Sequence, residues 1–309
     1  MKRKIIKLAE KTLVVSLPAK WIESQNLSKG DEVEVENLDD KLLLIPPKKS
    51  GTEKTSISID VKGVSERVLR WEVSSLHKQG WDEIVILNYT PEQQKIVEDL
   101  ISNLFIGFMI MDRSSIKIVV GEVAAIDVNE FDATLRRAFR LLNTQADELI
   151  EAFEKRDSTL LKEQIAHEAN NNKLTNFCER LLNKSLTQKD KGHFWYVFAW
   201  NLEKVSDNFK YIANYYHDAM IEISPETKVI LEDIKKYVEG YYDAIYGFSF
   251  EKLTKLSVLK RNLEKQIKQQ LIRADLSHEG VLLSYLHMIV LQMADFSASL
   301  IALKYDGKV

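Results

Sequence analysis

The chain has 309 residues, of which 45% are hydrophobic and 29% are charged, and its formal net charge is −3. This length predicts about two or three domains, and the balanced charge excludes a nucleic-acid-binding surface that extends over the whole protein. The single cysteine, Cys178, excludes an intrachain disulfide framework and a zinc site made only of cysteines, and the 11 glycines and 5 prolines favour a mainly helical chain.

Residues 1–47 predict four short β-strands around one short helix. Apolar runs at residues 4–8 and 12–17 precede Pro18, which suits the first turn of a helix over residues 19–25. After a turn at Gly30, two further strands are predicted over residues 32–37 and 41–45. A unit this small buries little apolar surface, so we expect it to need a second copy.

This segment resembles the AbrB/MazE/SpoVT swapped-hairpin family. The shared features are Leu17-Pro18, the short helix, Lys29-Gly30-Asp31 leading into Val33 and Val35, and the closing Leu44-Ile45-Pro46. The resemblance implies an intertwined dimer that binds DNA through basic residues near the first hairpin. The candidate DNA-binding residues are Arg3, Lys4, Lys7, Lys11 and Lys20. The alternative is a dimerisation module with a solvated basic N-terminus that does not bind DNA.

A polar linker at residues 48–54 separates this unit from a predicted small α/β domain over residues 55–125. Its apolar periodicity predicts the element order βαβαββ, and Thr90-Pro91 with Gln93 has the pattern of a capped helix start. The domain contains no glycine-rich phosphate loop, no HExxH motif and no serine–histidine–aspartate spacing. We therefore expect no enzyme activity, and we interpret this domain as a packing element or, alternatively, as an effector-binding module.

Residues 127–309 predict a six-helix bundle, which makes the fold class mainly α. The predicted helices span residues 130–155, 158–184, 192–218, 225–246, 251–275 and 280–304. The breaks between them are short, so sequential helices should pack as antiparallel neighbours. The third helix organises the bundle, because Phe198, Leu202, Val205, Phe209 and Ile212 lie on one apolar stripe.

An offset of 88 residues aligns the third helix with the sixth and indicates two three-helix repeats, over residues 127–218 and 224–306. It pairs Leu202 with Val290 and Asp207 with Asp295, whereas Glu203 meets Leu291. The repeats, with an acidic motif inside the third helix, resemble PhoU. A swapped-hairpin unit fused ahead of such repeats resembles archaeal-type phosphate uptake regulators.

Glu203 and Asp207 are one helical turn apart and repel each other unless a cation lies between them. The PhoU resemblance implies that they bind a divalent metal or iron, with Asp295 as a further ligand. Iron, zinc, manganese and magnesium are the candidates, since carboxylates suit cations with open coordination. The alternative is a solvated acidic surface that Lys210, near Asp207 on the same helix, neutralises.

The resemblances together predict a cytoplasmic, homodimeric transcriptional regulator of phosphate uptake without a membrane span. Its N-terminal unit would bind DNA, and its helical repeats would sense phosphate status through a metal or through a protein partner. That partner would be a phosphate transporter ATPase or a sensor kinase. The alternative is an adaptor for the same partners that uses the N-terminal unit only to dimerise. A metal-dependent hydrolase has little support, because the sequence offers no general base or nucleophile.

Overall fold

A computed structural model describes residues 2–8, 12–38, 41–46, 54–123, 127, 130–184, 191–273 and 278–305 of the chain. The chain divides into two compact units, residues 1–54 and residues 55–309. The predicted boundary between residues 125 and 127 falls inside the second unit. It stays a prediction about domain organisation.

The first unit consists of two antiparallel hairpins and one short helix. Its elements are β1 (Ile5–Lys7), β2 (Leu13–Val15), α1 (Ala19–Ser24), β3 (Glu34–Leu38) and β4 (Lys41–Ile45). Strand β1 pairs with β2 and strand β3 pairs with β4, and each hairpin forms a separate two-stranded sheet. An isolated two-stranded hairpin is marginally stable in water, so this unit requires further packing.

No residue of the first unit whose side chain the structure describes is buried within the single chain. The apolar side chains of its first hairpin are instead open to solvent, with Ile5 and Leu8 each 72% exposed and Leu13 66% exposed. Leu42 on β4 is also 66% exposed. Apolar surface of this extent favours burial against another molecule, so a single copy does not explain how the unit is stable.

The second unit begins with the predicted βαβαββ order. Its elements are β5 (Ser56–Asp60), α2 (Glu66–Gln79), β6 (Glu83–Leu87), α3 (Pro91–Asn103), β7 (Phe108–Arg113) and β8 (Lys117–Glu122). The sheet order is β5-β6-β8-β7, in which β5 and β6 are parallel and the other pairs are antiparallel. The predicted helix start is confirmed, because the side chains of Thr90 and Gln93 form a reciprocal capping box at α3.

The described part of residues 130–305 is mainly helical, as predicted. Its helices are α4 (Phe131–Lys155), α5 (Ser158–Lys184), α6 (Gly192–Tyr216), α7 (Pro225–Tyr246), α8 (Phe250–Arg273), α9 (His278–Ala294) and α10 (Phe296–Lys304). The predicted sixth helix is thus divided in two at Asp295. The backbone N–H of Asp295 donates to the carbonyl of Gln292 at 3.2 Å, three residues earlier, which tightens the turn there.

Helix α6 lies at the centre of the bundle and packs against α4, α5, α9 and α10. All the apolar residues predicted for its stripe are fully buried, including Phe198, Leu202 and Ile212. Val290, which the 88-residue offset aligns with Leu202, is fully buried as well. This shared burial agrees with an internal repeat, while the assignment of the repeats to the PhoU type stays a prediction.

A buried polar cluster joins the α/β part of the second unit to helix α5. The guanidinium of Arg180 is fully buried, and it donates to the carbonyl of His77 at 2.7 Å and to Glu122 Oε2 at 2.5 Å. His77 Nδ1 lies 2.6 Å from Asn176 Oδ1. Burial and the charge of Arg180 hold the pKa of His77 well below its ordinary value. His77 is therefore neutral at physiological pH, and the side chains of His77 and Arg180 are fully buried at this junction.

One segment of the described chain, His278–Lys304, is long and apolar enough to cross a membrane. In the structure it comprises α9 and α10, and 44% of its most apolar stretch of 18 residues is buried inside the bundle. Core helices of soluble proteins pass the same test, because a helix buried on several sides is also rich in apolar residues. The absence of a membrane span stays a prediction.

Candidate nucleic-acid interface and charged groove

The predicted DNA-binding residues lie on the first hairpin and on helix α1. Arg3 and Lys4 immediately precede β1, Lys7 ends that strand, and Lys20 is in the first turn of α1; all four side chains are exposed. Lys11 lies outside the described residues. Within the described part of the first unit no acidic side chain forms an ion pair with Arg3, Lys4, Lys7 or Lys20, so these cations are available to phosphate groups.

The predicted metal ligands Glu203 and Asp207 lie together on α6, on the side that faces α5. Lys204 Nζ is 3.3 Å from Glu203 Oε1 and 3.2 Å from Asp207 Oδ2. Lys210 Nζ is 2.8 Å from Asp207 Oδ1, as the alternative interpretation expected. Lysines therefore provide the positive charge that relieves the repulsion between the two carboxylates, and a bound cation would have to displace them. The metal role of this pair stays a prediction.

Asp207 is buried, yet it remains ionised because of its lysine neighbours. Burial raises its pKa, but the hydrogen bond and charge of Lys210 and the charge of Lys204 outweigh this effect and hold the pKa below its ordinary value. Lys210 also lies 2.6 Å from Glu168 Oε1 on α5, and burial raises the pKa of Glu168. The spacing in the sequence indicated that Lys210 pairs with Asp207. It did not indicate that Lys210 also pairs with Glu168, because that contact depends on the packing of α5 against α6.

Glu203, Lys204, Asp207, Lys210 and Glu168 form a row of alternating acidic and basic side chains. This row of charges continues onto the α/β part of the second unit. Lys78 at the end of α2 lies 3.8 Å from Glu203 and 2.7 Å from Glu179, whose side chain is fully buried. Burial raises the pKa of Glu179, and burial together with the charge of Glu179 raises the pKa of Tyr196 to about 12. The acidic motif of α6 is thus connected through Lys78 to the helix that packs on the β-sheet.

A groove of about 520 Å³ opens over this row of charges, between α2 and the helices α5 and α6. Its lining comprises Trp71, Ser74, Ser75, Lys78, Gln79, Leu104, Asn172, Asn176, Asn183, Tyr196, Trp200, Glu203 and Lys204. The ammonium groups of Lys78 and Lys204 lie 5.2 and 5.1 Å from the ring centroid of Trp200. Aromatic rings, ammonium groups and amides in one groove suit a small polar ligand with a planar or anionic part.

The third predicted metal ligand, Asp295, lies near Tyr237 and Tyr241 of α7. It is exposed at the junction of α9 and α10, close enough to Tyr237 and Tyr241 to raise their pKa values together with burial. Among the described residues, Glu203, Asp207 and Asp295 do not form a group whose ligand atoms lie within 4.8 Å of one another. The role of Asp295 as a further metal ligand stays a prediction.

Residues 6–52 match the family described as "Antidote-toxin recognition MazE, bacterial antitoxin". This match supports the swapped-hairpin resemblance of the first unit to MazE/AbrB-type domains, which typically dimerise and bind DNA. No curated protein and no solved structure gives a significant match to the chain. The helical part therefore has no counterpart in these comparisons, and its relationship to PhoU rests on the sequence pattern.

Proposed function

We propose that the protein is a homodimeric transcriptional regulator of phosphate uptake that acts in the cytoplasm. The match of residues 6–52 to a MazE-type domain carries the DNA-binding part of this proposal. Two features of the first unit support it. Its exposed apolar hairpins need a partner copy, and its exposed cations Arg3, Lys4 and Lys7 have no acidic partner among the described residues.

The phosphate-responsive part of the proposal rests on the internal repeat and on the acidic motif of α6. Phosphate status would reach the protein through a transporter ATPase or a sensor kinase, or through a cation at Glu203 and Asp207. The contact of Glu203 with Lys78 supports a regulatory role for this region, because it joins two parts of the second unit at an open groove. A partner or ligand in the groove would contact both parts at once.

A salt titration of DNA binding tests the proposal directly. We expect the variant with Lys4, Lys7 and Lys11 replaced by Ala to bind every DNA sequence more weakly than the wild type. The slope of log K against log salt should become shallower by about 0.9 for each phosphate group that the variant no longer neutralises, because fewer counterions are released. Fluorescence anisotropy with labelled duplexes at several salt concentrations measures both quantities.

The control for this variant replaces Lys62, Lys95 and Lys228 by Ala. These lysines are exposed on the second unit, and their removal changes the net charge by the same amount. The control should keep the wild-type slope. A wild-type protein without salt-dependent DNA binding, or an unchanged slope in the first-unit variant, contradicts the DNA-binding proposal.

The second candidate is an adaptor that binds transporter or kinase partners and uses the first unit only to dimerise. The lack of any buried residue in the described part of this unit favours it equally, because dimerisation alone would cover the exposed hairpins. Pull-downs from phosphate-replete and phosphate-starved cells, scored for both DNA and protein, separate the two. Capture of a transporter or kinase without DNA would favour the adaptor.

A further inference from the structure

Two carboxylates and one imidazole converge where α4 packs against α5, in a cluster distinct from the acidic motif of α6. Glu148 lies on α4, and Glu163 and His167 are one turn apart on α5. One ligand atom from each of the three residues lies within 4.8 Å of the other two. Ligands that bind one ion at about 2.0–2.2 Å lie on opposite sides of it, up to roughly twice that distance from one another. Small side-chain rotations would therefore bring these three ligand atoms onto one ion.

Among the described residues, no lysine or arginine balances the negative charge of this cluster. His167 Nε2 lies 3.0 Å from Glu148 Oε2. Within the described residues, no lysine or arginine forms an ion pair with Glu148 or Glu163. Asp207 differs in this respect, because both Lys204 and Lys210 lie within 3.2 Å of it. A cation would therefore enter the Glu148 cluster without displacing a lysine.

A buried amide beside the cluster supplies an independent indication of a missing partner. Gln164 is fully buried, and its Nε2 donates to Glu148 Oε2 at 3.1 Å. The other end of the same amide group, Oε1, has no hydrogen-bond partner among the described residues. Buried polar atoms are rarely left unpaired, so this oxygen calls for a donor that is not among the described residues. An ordered water molecule, free or bound to a metal ion, would be such a donor.

We propose that Glu148, Glu163 and His167 bind one divalent transition-metal ion, of the class of Zn²⁺, Mn²⁺ or Fe²⁺. One imidazole nitrogen and two carboxylate oxygens are a ligand set that suits these borderline cations. Glu163 is exposed and the other two side chains are half-buried, so the ion has a path from solvent and keeps positions open for water. The ion joins α4 to α5, and Gln164 orients Glu148 as its outer-shell partner.

Zinc titration of the EDTA-treated full-length protein by isothermal calorimetry tests this site. We expect one equivalent of Zn²⁺ per chain to bind at the cluster and to raise the melting temperature, because the ligand stabilises only the folded state. Glu163→Gln and His167→Gln should each weaken this binding by at least about tenfold. Binding should also weaken at acidic pH, because a histidine must lose its proton to become a ligand.

Two control variants locate the binding. Glu154→Gln removes an exposed carboxylate from the same helix as Glu148, and Asp207→Asn removes the centre of the charged row on α6. Both should retain the equivalent of zinc that is lost in Glu163→Gln. Circular dichroism of every variant establishes that it is folded. The proposal is overturned if the wild type binds no zinc, if Glu163→Gln and His167→Gln bind it as the wild type does, or if only Asp207→Asn loses it.

Discussion

Replacement of Asp207 by asparagine removes a buried negative charge that lies between two lysines. Lys210 Nζ lies 2.8 Å from one carboxylate oxygen, and Lys204 Nζ lies 3.2 Å from the other. A hydrogen bond to a charged group contributes about 1.5–3 kcal/mol to stability. The contact with Lys204 contributes less, since that lysine is about one-third exposed and solvent screens it.

The expected loss of stability is therefore smaller than the contribution of two hydrogen bonds to charged groups. Asparagine keeps one acceptor oxygen, and Lys210 keeps its contact with Glu168 at 2.6 Å. We expect Asp207→Asn to lower the free energy of unfolding by about 1–2 kcal/mol at neutral pH, with EDTA present. This corresponds to a fall in melting temperature of about 2–8 °C for a unit of this size.

The pH dependence of this difference has a definite sign. The pKa of Asp207 in the folded protein is lower than its ordinary value, so its contribution to stability is fully present above the unfolded pKa, about 3.9. The contribution is lost as the pH falls through the lower folded pKa. The stability difference between wild type and variant should thus be constant from neutral pH to about pH 5 and shrink at more acidic pH.

Urea denaturation followed by circular dichroism measures the change, and Asp233→Asn is its matched control. Asp233 also pairs with a lysine three residues later, Lys236, whose side chain is 61% exposed. The control should change stability by less than about 0.5 kcal/mol, as surface pairs do. An equally small effect of Asp207→Asn in EDTA would refute our interpretation of the lysine pairing. If a metal raises the melting temperature of the wild type but not of Asp207→Asn, the ion binds at Asp207 as the PhoU resemblance implies.

Three further predictions concern the dimer, the junction of the second unit and the cysteine. Leu13→Asp should give monomers in sedimentation velocity, because it places a charge on the apolar hairpin that the dimer would bury. The control Val229→Asp, at an exposed position of α7, should leave the dimer intact. A dimeric Leu13→Asp protein would contradict the proposed interface. Arg180→Met should lower the free energy of unfolding by about 2–4 kcal/mol, because the buried carboxylate of Glu122 would keep only the partly exposed Lys184 as a partner. Urea unfolding measures this change, and a value below about 0.5 kcal/mol would contradict the prediction. Cys178 is fully buried, and burial raises the pKa of its thiol. A thiol reagent should therefore label it only after denaturation. Rapid labelling of the folded protein would contradict this prediction and show that this part of α5 opens.

Periodicity and local signals were sufficient to place most elements of the second unit. The predicted bounds of α5, residues 158–184, agree with the structure, and Ser224 caps α7 by accepting a hydrogen bond from the N–H of Thr227. These features depend on interactions between residues that are close in the sequence. The division of the predicted sixth helix at Asp295 was missed, because its apolar pattern continues across the break and predicts one helix.

By itself, the sequence determined the order of nearly all elements, the apolar stripe of α6 and the resemblance of residues 1–47 to the swapped-hairpin family. Each of these depends on the spacing of residues that are close in the chain. Only the tertiary structure decided which charges meet. Lys78 and Glu203 are far apart in the chain, and they lie 3.8 Å apart because α2 and α6 line the same groove. Glu148 meets His167 in the same way, through the packing of α4 on α5. Helical spacing states which residues share a face of one helix, whereas the neighbour that the face meets is set by the burial of apolar surface over the whole bundle.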